Sequence, residues 1–402
     1  MQAWHIPSPL PDDLENVTPE QRKPLIDARI EHLLDNPLCD DSTCVDDLEK
    51  LLIYQGHADF GPLRTMIKRI YDLSESGLRT TSNANSGMLG TWNKRSTKRR
   101  KKKFWKRVKG MKPGRRYVRI YAEGDSWFQF PIFINDTIDW LKKRKDYLVY
   151  SDAYGGDWLT NILYEDQYVH GLTTSRAEVM LISGGGNDLV GNYRLSTMIN
   201  QADPLRKYRS PEEITSRFYA LTDDERQAMF AAQEFIGKEF YALIKTFELQ
   251  YKLFFTQLLR NASKMKHLLC VTQGYDFPIP RSKRGFGLRT PFQPLVNWLL
   301  DSGRWLHQPL MIAGVSDAQD QADIMRLMLF EFNEMLVQFS QKHEGVFHID
   351  SRGLTSRTRD WCDELHLKGR GFKQVARAFE YVIDNHETLL RNGDKVIRTV
   401  DH

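Results

Sequence analysis

From residue 114 onward the chain alternates between short apolar runs and longer stretches whose apolar positions recur every three or four residues. The short runs lie within 117–124 (YVRIYAEG), 146–156 (DYLVYSDAYGG), 177–188 (AEVMLISGGGND), 266–276 (KHLLCVTQGYD) and 345–354 (GVFHIDSRGL). Continuous apolar runs of this length, closed by Gly, Asp or Ser, predict strands buried on both faces. Between and after them, 133–145 (FINDTIDWLKKRK) and 369–390 (GRGFKQVARAFEYVIDNHETLL) predict amphipathic helices. Strands alternating with helices predict an α/β fold around a five-stranded parallel sheet. In such sheets the ligand crevice opens at the carboxyl ends of the strands.

The earlier part of the chain has a different pattern. Residues 1–85 predict a helical region. Thr18-Pro19-Glu20 is an N-cap signal with Pro at the first helical position, and apolar residues continue at three- and four-residue spacing through 44–56 and 61–76. Residues 86–113 are expected to form a flexible basic linker, entered through the Ser-, Asn- and Gly-rich stretch 80–97. The α/β domain is expected over 114–390, with a large helical insertion at about 190–264 and a second irregular segment at about 275–320. Residues 391–402 are expected to be a C-terminal tail.

Composition narrows the class. With 402 residues, 41% hydrophobic and 11% aromatic, the chain can bury a sizeable core. No window reaches the roughly 18 consecutive apolar residues of a membrane helix. The first residues lack a basic segment followed by an apolar one, so no secretory signal is expected. The four cysteines form no disulfide framework, and Cys39 and Cys44 lack companions at zinc-ligand spacing. They are expected to be free thiols in a reducing cytoplasm. The net charge of +5 is unevenly spread: eleven Lys or Arg and no acid lie between Asn93 and Lys109, and removing those eleven leaves −6 for the rest.

The strand ends carry the candidate chemistry. Gly124-Asp125-Ser126 follows the first strand, Gly155-Gly156-Asp157 the second, and Gly185-Gly186-Asn187-Asp188 the third. Asp363-Glu364-Leu365-His366 precedes the final helix. Gly-Asp-Ser alone is a common turn. The four blocks together, in this order, resemble the SGNH hydrolases, also called the GDSL family, over roughly residues 114–390. The resemblance implies a three-layer, flavodoxin-like sandwich and a serine hydrolase cleaving an oxygen ester such as an acyl lipid or an acetylated sugar. It assigns Ser126 as nucleophile, His366 as its base and Asp363 as the acid that orients His366. The implied oxyanion hole comprises the backbone N–H groups of Ser126 and Gly156 and the side-chain amide of Asn187. No cofactor or metal is implied. Asp125 and Asp188 are expected to brace their loops.

Two departures from the family pattern stand out. Trp127, Phe128 and Phe130 follow the serine where small or aliphatic residues are usual; they are either core residues of a following helix or walls of the crevice. The second block reads Tyr154-Gly155-Gly156-Asp157 where Ser would precede the glycine, leaving Gly155 and Gly156 as alternatives, with Gly156 preferred because Asp157 follows it. His348, on the fifth strand, is expected to be a core residue. The basic run Lys94–Lys109, interrupted by Phe104 and Trp105, suits phosphates of nucleic acid, an anionic membrane surface, or simply a solvated linker. Three readings follow: an esterase, a membrane- or nucleic-acid-binding protein acting through the basic run, and a scaffold recruiting a partner through its first 85 residues.

Overall fold

A computed structural model describes residues 18, 21, 87–130, 134–165, 167–199, 208–260, 267–281, 305–355 and 357–402. The chain divides into two compact units, residues 1–79 with 245–266, and residues 80–244 with 267–402. In the first unit Thr18 accepts the Gln21 N–H on its carbonyl at 3.1 Å and on its hydroxyl at 3.4 Å, as an N-cap does. The rest of the helical region expected over 1–85 lies outside the described residues, as do Cys39 and Cys44. The division cuts through the insertion expected at about 190–264, whose later part belongs with the first unit.

The second unit is built on an all-parallel, open sheet. Its strands are β1 (Val118–Gly124), β2 (Tyr147–Ser151), β3 (Val179–Ser183), β4 (Leu269–Gln273), β5 (Val346–Asp350) and β6 (Val396–Arg398). Their order is β2-β1-β3-β4-β5-β6. All residues of β2 to β5 are buried, so both faces are covered, as the continuous apolar runs require. Eleven α-helices are described: α1 (Gly87–Lys109), α2 (Thr137–Leu141), α3 (Leu159–Glu165), α4 (Gln167–Ser175), α5 (Gly186–Val190), α6 (Arg194–Thr197), α7 (Asp223–Ala232), α8 (Lys238–Arg260), α9 (His307–Ile312), α10 (Ala318–Lys342) and α11 (Gly369–Asn392). Helix α11 packs on α2, and α10 packs on β5 and α7. Among the described residues no helix is long and apolar enough to cross a membrane. Cys270 and Cys362 are free and buried.

Two expectations need correction. The sheet has six strands, not five, because the expected tail 391–402 supplies β6, paired in parallel with β5 through His348↔Val396 and Asp350↔Arg398. The strand is short, and a side chain beside it ties it down: Lys395 Nζ donates to the carbonyls of Ser340, Gln341 and His343 at the C-terminal end of α10.

The expected flexible linker at 86–113 is instead mostly α1, which packs on β2. Asn93, Thr97, Arg100 and Phe104 recur at helical spacing and are all buried. Three of these four are polar, and each is satisfied. Asn93 exchanges two hydrogen bonds with the backbone of Gly155, Thr97 bonds Gln129, and Arg100 pairs with Asp136 at 2.5 Å. Phe104 meets the Tyr150 ring edge-on at 5.2 Å. Phe104 is therefore core, and only Trp105 of the two aromatics is exposed.

No helix directly follows Ser126. Residues 125–128 form a turn in which the Phe128 and Gln129 N–H groups both donate to Asp125 O.

Candidate active site

Because the sheet is parallel, the ends of β1, β2 and β3 lie along one edge, and each feeds a tight loop. The end of β1 is held closest. Gly124 O accepts from Tyr154 N at 2.8 Å, and Asp125 N donates to Ser183 O at 3.0 Å. A Cβ on Gly124 would lie 2.4 Å from Ser183 O, a backbone atom. Glycine is required here for close approach. Gly124→Ala is expected to lower stability by about 3 kcal/mol through overpacking between β1 and β3. Denaturant unfolding checks this, and an unchanged midpoint would show slack at that crossing.

Ser126 follows in the turn capped by Asp125, whose Oδ1 accepts the Trp127 N–H at 3.0 Å. Asp125 Oδ2 accepts the Tyr275 hydroxyl at 2.5 Å, and Tyr275 in turn accepts the Gly186 N–H at 3.2 Å. Asp125 thus ties together the loops after β1, β3 and β4, the bracing role expected of it. Burial pushes its carboxyl up to about 6, against the opposing bonds from Tyr275 and Trp127.

The Asp363–His366 segment is delivered by a loop pinched shut by the Trp361↔Leu367 bridge just before α11. Asp363 Oδ1 accepts the backbone N–H groups of Leu365 and His366, both at 2.8 Å. His366 Nδ1 lies 2.7 Å from Asp363 Oδ2 and 2.9 Å from Oδ1, while His366 Nε2 lies 2.6 Å from Ser126 Oγ. Residues 240 positions apart thus form one hydrogen-bonded chain. Burial acts to raise the Asp363 pKa, but the charge on His366 and the bonds to Asp363 outweigh it and hold the carboxyl below its usual range.

Asn187 lines the same cavity as Ser126 and His366. Its Nδ2 donates to Asp157 O at 2.9 Å, which fixes the amide and leaves its second N–H. Gly155 and Gly156 are now distinguishable. The Gly155 N–H is spent on Asn93 Oδ1 at 3.1 Å. The Gly156 N–H has no acceptor among the described residues, and its φ of 84° is in the left-handed region that favours glycine. The Ser126 N–H likewise has no acceptor among the described residues. Gly156 itself does not line the cavity beside Ser126. Asp188 braces the second loop, accepting the Leu159 N–H at 2.8 Å.

The cavity has a volume of about 40 Å³. Its apolar wall includes Leu189, Val190, Pro278, and Met325 with Leu329 one turn apart on α10. Trp127 lines it and donates from Nε1 to Leu365 O at 3.2 Å, tying the serine turn to the histidine loop. Phe130 lies against the His366 ring at 4.8 Å, whereas Phe128 packs on Phe379 in the core. Of the three aromatics, Trp127 is thus a wall of the cavity and Phe128 is core. His348 is buried, as expected of a core residue, with Nδ1 2.9 Å from Thr272 Oγ1; burial lowers its pKa to about 4.

Three contributors escaped the sequence reading. Tyr275 carries the link from Asp125 to Gly186. Glu364 accepts the N–H groups of Arg281, Trp305, Leu306 and His307, anchoring the histidine loop. Asn93 holds the Gly155 backbone from α1. Only Glu364 had a visible signal, an acid inside the Asp363–His366 block.

A hydroxyl, an imidazole and a carboxylate in this order can move a proton off the hydroxyl while stabilising the imidazolium that results. No protein-family model and no curated protein sequence matches the chain.

Proposed function

We propose that this protein is a serine hydrolase of the SGNH type that cleaves an oxygen ester on a three-layer, flavodoxin-like scaffold. The observation that carries the reading is the chain Asp363–His366–Ser126, with 2.6 Å between His366 Nε2 and Ser126 Oγ. Ser126 Oγ attacks the ester carbonyl while His366 Nε2 takes its proton. The tetrahedral oxyanion is met by the Ser126 and Gly156 N–H groups and the Asn187 amide. Collapse expels the alcohol, which receives the proton from His366, and leaves an acyl group on Ser126. Water, deprotonated by His366, then releases the acid and restores the serine. Asp363, held ionised, keeps the Nδ1–H tautomer and offsets the imidazolium charge.

The apolar cavity wall suits an uncharged acyl group. A panel of esters, from acetyl to long acyl and from sugar to phospholipid alcohols, tests the reading. Hydrolysis of at least one member well above the Ser126→Ala background is expected, and none across the panel would oppose it. Asn187→Ala is expected to lower kcat by about 10²–10³-fold with little change in KM, because its bond strengthens only as the oxyanion forms. A change confined to KM would make Asn187 a ground-state contact.

A further inference from the structure

Phe130, whose ring touches His366, also lines a second cavity of about 640 Å³ between α1, the segment leading into α2, and α2 itself. The lining carries seven cationic side chains and one carboxylate, Asp139. That carboxylate is already engaged by Arg100 at 3.2 Å and Lys142 at 3.0 Å. Arg107 is fixed by donating to the carbonyls of Lys142 at 2.9 Å and Arg144 at 2.6 Å. Arg99, Lys103 and Lys106 recur at helical spacing along α1 and line the cavity. Each is within ion-pair distance of no carboxylate among the described residues. Lys98 and Lys102, on the same helix, do not line it.

Cations gathered around a concavity repel one another and focus a positive potential into it. An anion in the cavity relieves that repulsion. The volume falls within the roughly 300–1,000 Å³ of small-molecule sites and exceeds what one phosphate fills. Lysine and arginine are the side chains that take phosphate oxygens, arginine in a fork and lysine as a point charge. We propose that this cavity binds a small polyanion bearing more than one phosphate group, either a free phosphorylated compound or the headgroup of a lipid. Such a ligand lies one aromatic ring away from His366. It also lies against Arg100, whose Nη1 donates to Phe128 O, two residues from Ser126.

Calorimetric titration with inorganic tripolyphosphate, on the full chain, tests the proposal. Co-sedimentation with phosphatidylcholine vesicles, with and without a phosphoinositide bisphosphate, forms the second arm. Lys103→Gln with Lys106→Gln is expected to weaken binding by about tenfold or more, while Lys98→Gln with Lys102→Gln, an equal loss of charge from the same helix, leaves it near wild type. All four lysines are exposed, so both double variants are expected to melt like wild type. Saturable one-to-one binding of tripolyphosphate assigns a free ligand, and binding only to the phosphoinositide vesicles assigns a headgroup. Equal losses in the two double variants, tighter binding of a single-stranded oligonucleotide than of tripolyphosphate, or no binding in either arm would overturn the proposal.

Discussion

Ser126→Ala is expected to abolish ester hydrolysis while leaving the unfolding midpoint close to wild type. The Ser126 hydroxyl is held by His366 Nε2 alone among the described side chains, so its removal deletes one hydrogen bond beside a cavity that water can enter. The turn itself is unaffected, because it is made by Asp125 O and Asp125 Oδ1 and not by the serine side chain. The kinetic loss is of another order. Without the hydroxyl there is no acyl-enzyme, and loss of a nucleophile from such a constellation typically costs on the order of 10⁴–10⁶-fold in kcat. A fluorophosphonate probe is expected to label Ser126 in the wild type and nothing in the variant. Hydrolysis near the wild-type rate in purified Ser126→Ala, with no labelled serine in the parent, would remove Ser126 from the chemistry.

The second large effect is expected at His366. His366→Ala takes away the proton acceptor and is expected to lower kcat by several orders of magnitude. Unlike the serine change, it also costs stability. Asp363 is buried and keeps only the Leu365 and His366 backbone donors once the imidazole is gone, a loss of about 1–3 kcal/mol. The wild-type pH profile follows from the same geometry. A base of this kind accepts a proton only in its neutral form, so kcat/KM is expected to fall on the acid side. Asp363, held below the usual carboxylate range, stays ionised through that fall and adds nothing to it. Asp125 titrates at about 6, ionised above and neutral below, and so it steepens the same limb as the turn loses its charged acceptor. Asp125→Asn, which keeps an oxygen for the Trp127 N–H but cannot ionise, is expected to leave a shallower limb. A kcat/KM with no acid limb removes His366 from its assigned part.

The features that were legible before folding share one property: they are local and repeat a period. The five apolar runs matched the α/β pattern because a strand covered on both faces carries a near-continuous apolar run. The glycines, acids and polar residues at their ends marked loops for the same reason. Ser126, Asn187, Asp363 and His366 were picked out through the resemblance of four short blocks, each at an element's end, to those of the SGNH hydrolases. Helix α1 was not legible, because three of its four buried positions among the described residues are Asn93, Thr97 and Arg100. Hydropathy counts such residues as solvated, and only their partners Gly155, Gln129 and Asp136 make burial affordable. Strand β6 was missed because a three-residue strand carries almost no pattern, and its stability comes from the edge of β5 and the Lys395 ammonium.

Sequence alone determined the α/β class, the order of the blocks and the residue types able to carry hydroxyl, imidazole and carboxylate chemistry, because these depend on neighbours a few positions away. Tertiary structure decided how the blocks meet. It placed His366 Nε2 on Ser126 Oγ across 240 positions, spent the Gly155 N–H while leaving that of Gly156, and set Tyr275 and Glu364 as ties between loops. It also turned a charge run into a helix with one buried face and one cationic wall. Those outcomes rest on hydrogen bonds and ion pairs between residues far apart in the chain, whose strength depends on burial and distance and leaves no period in the sequence.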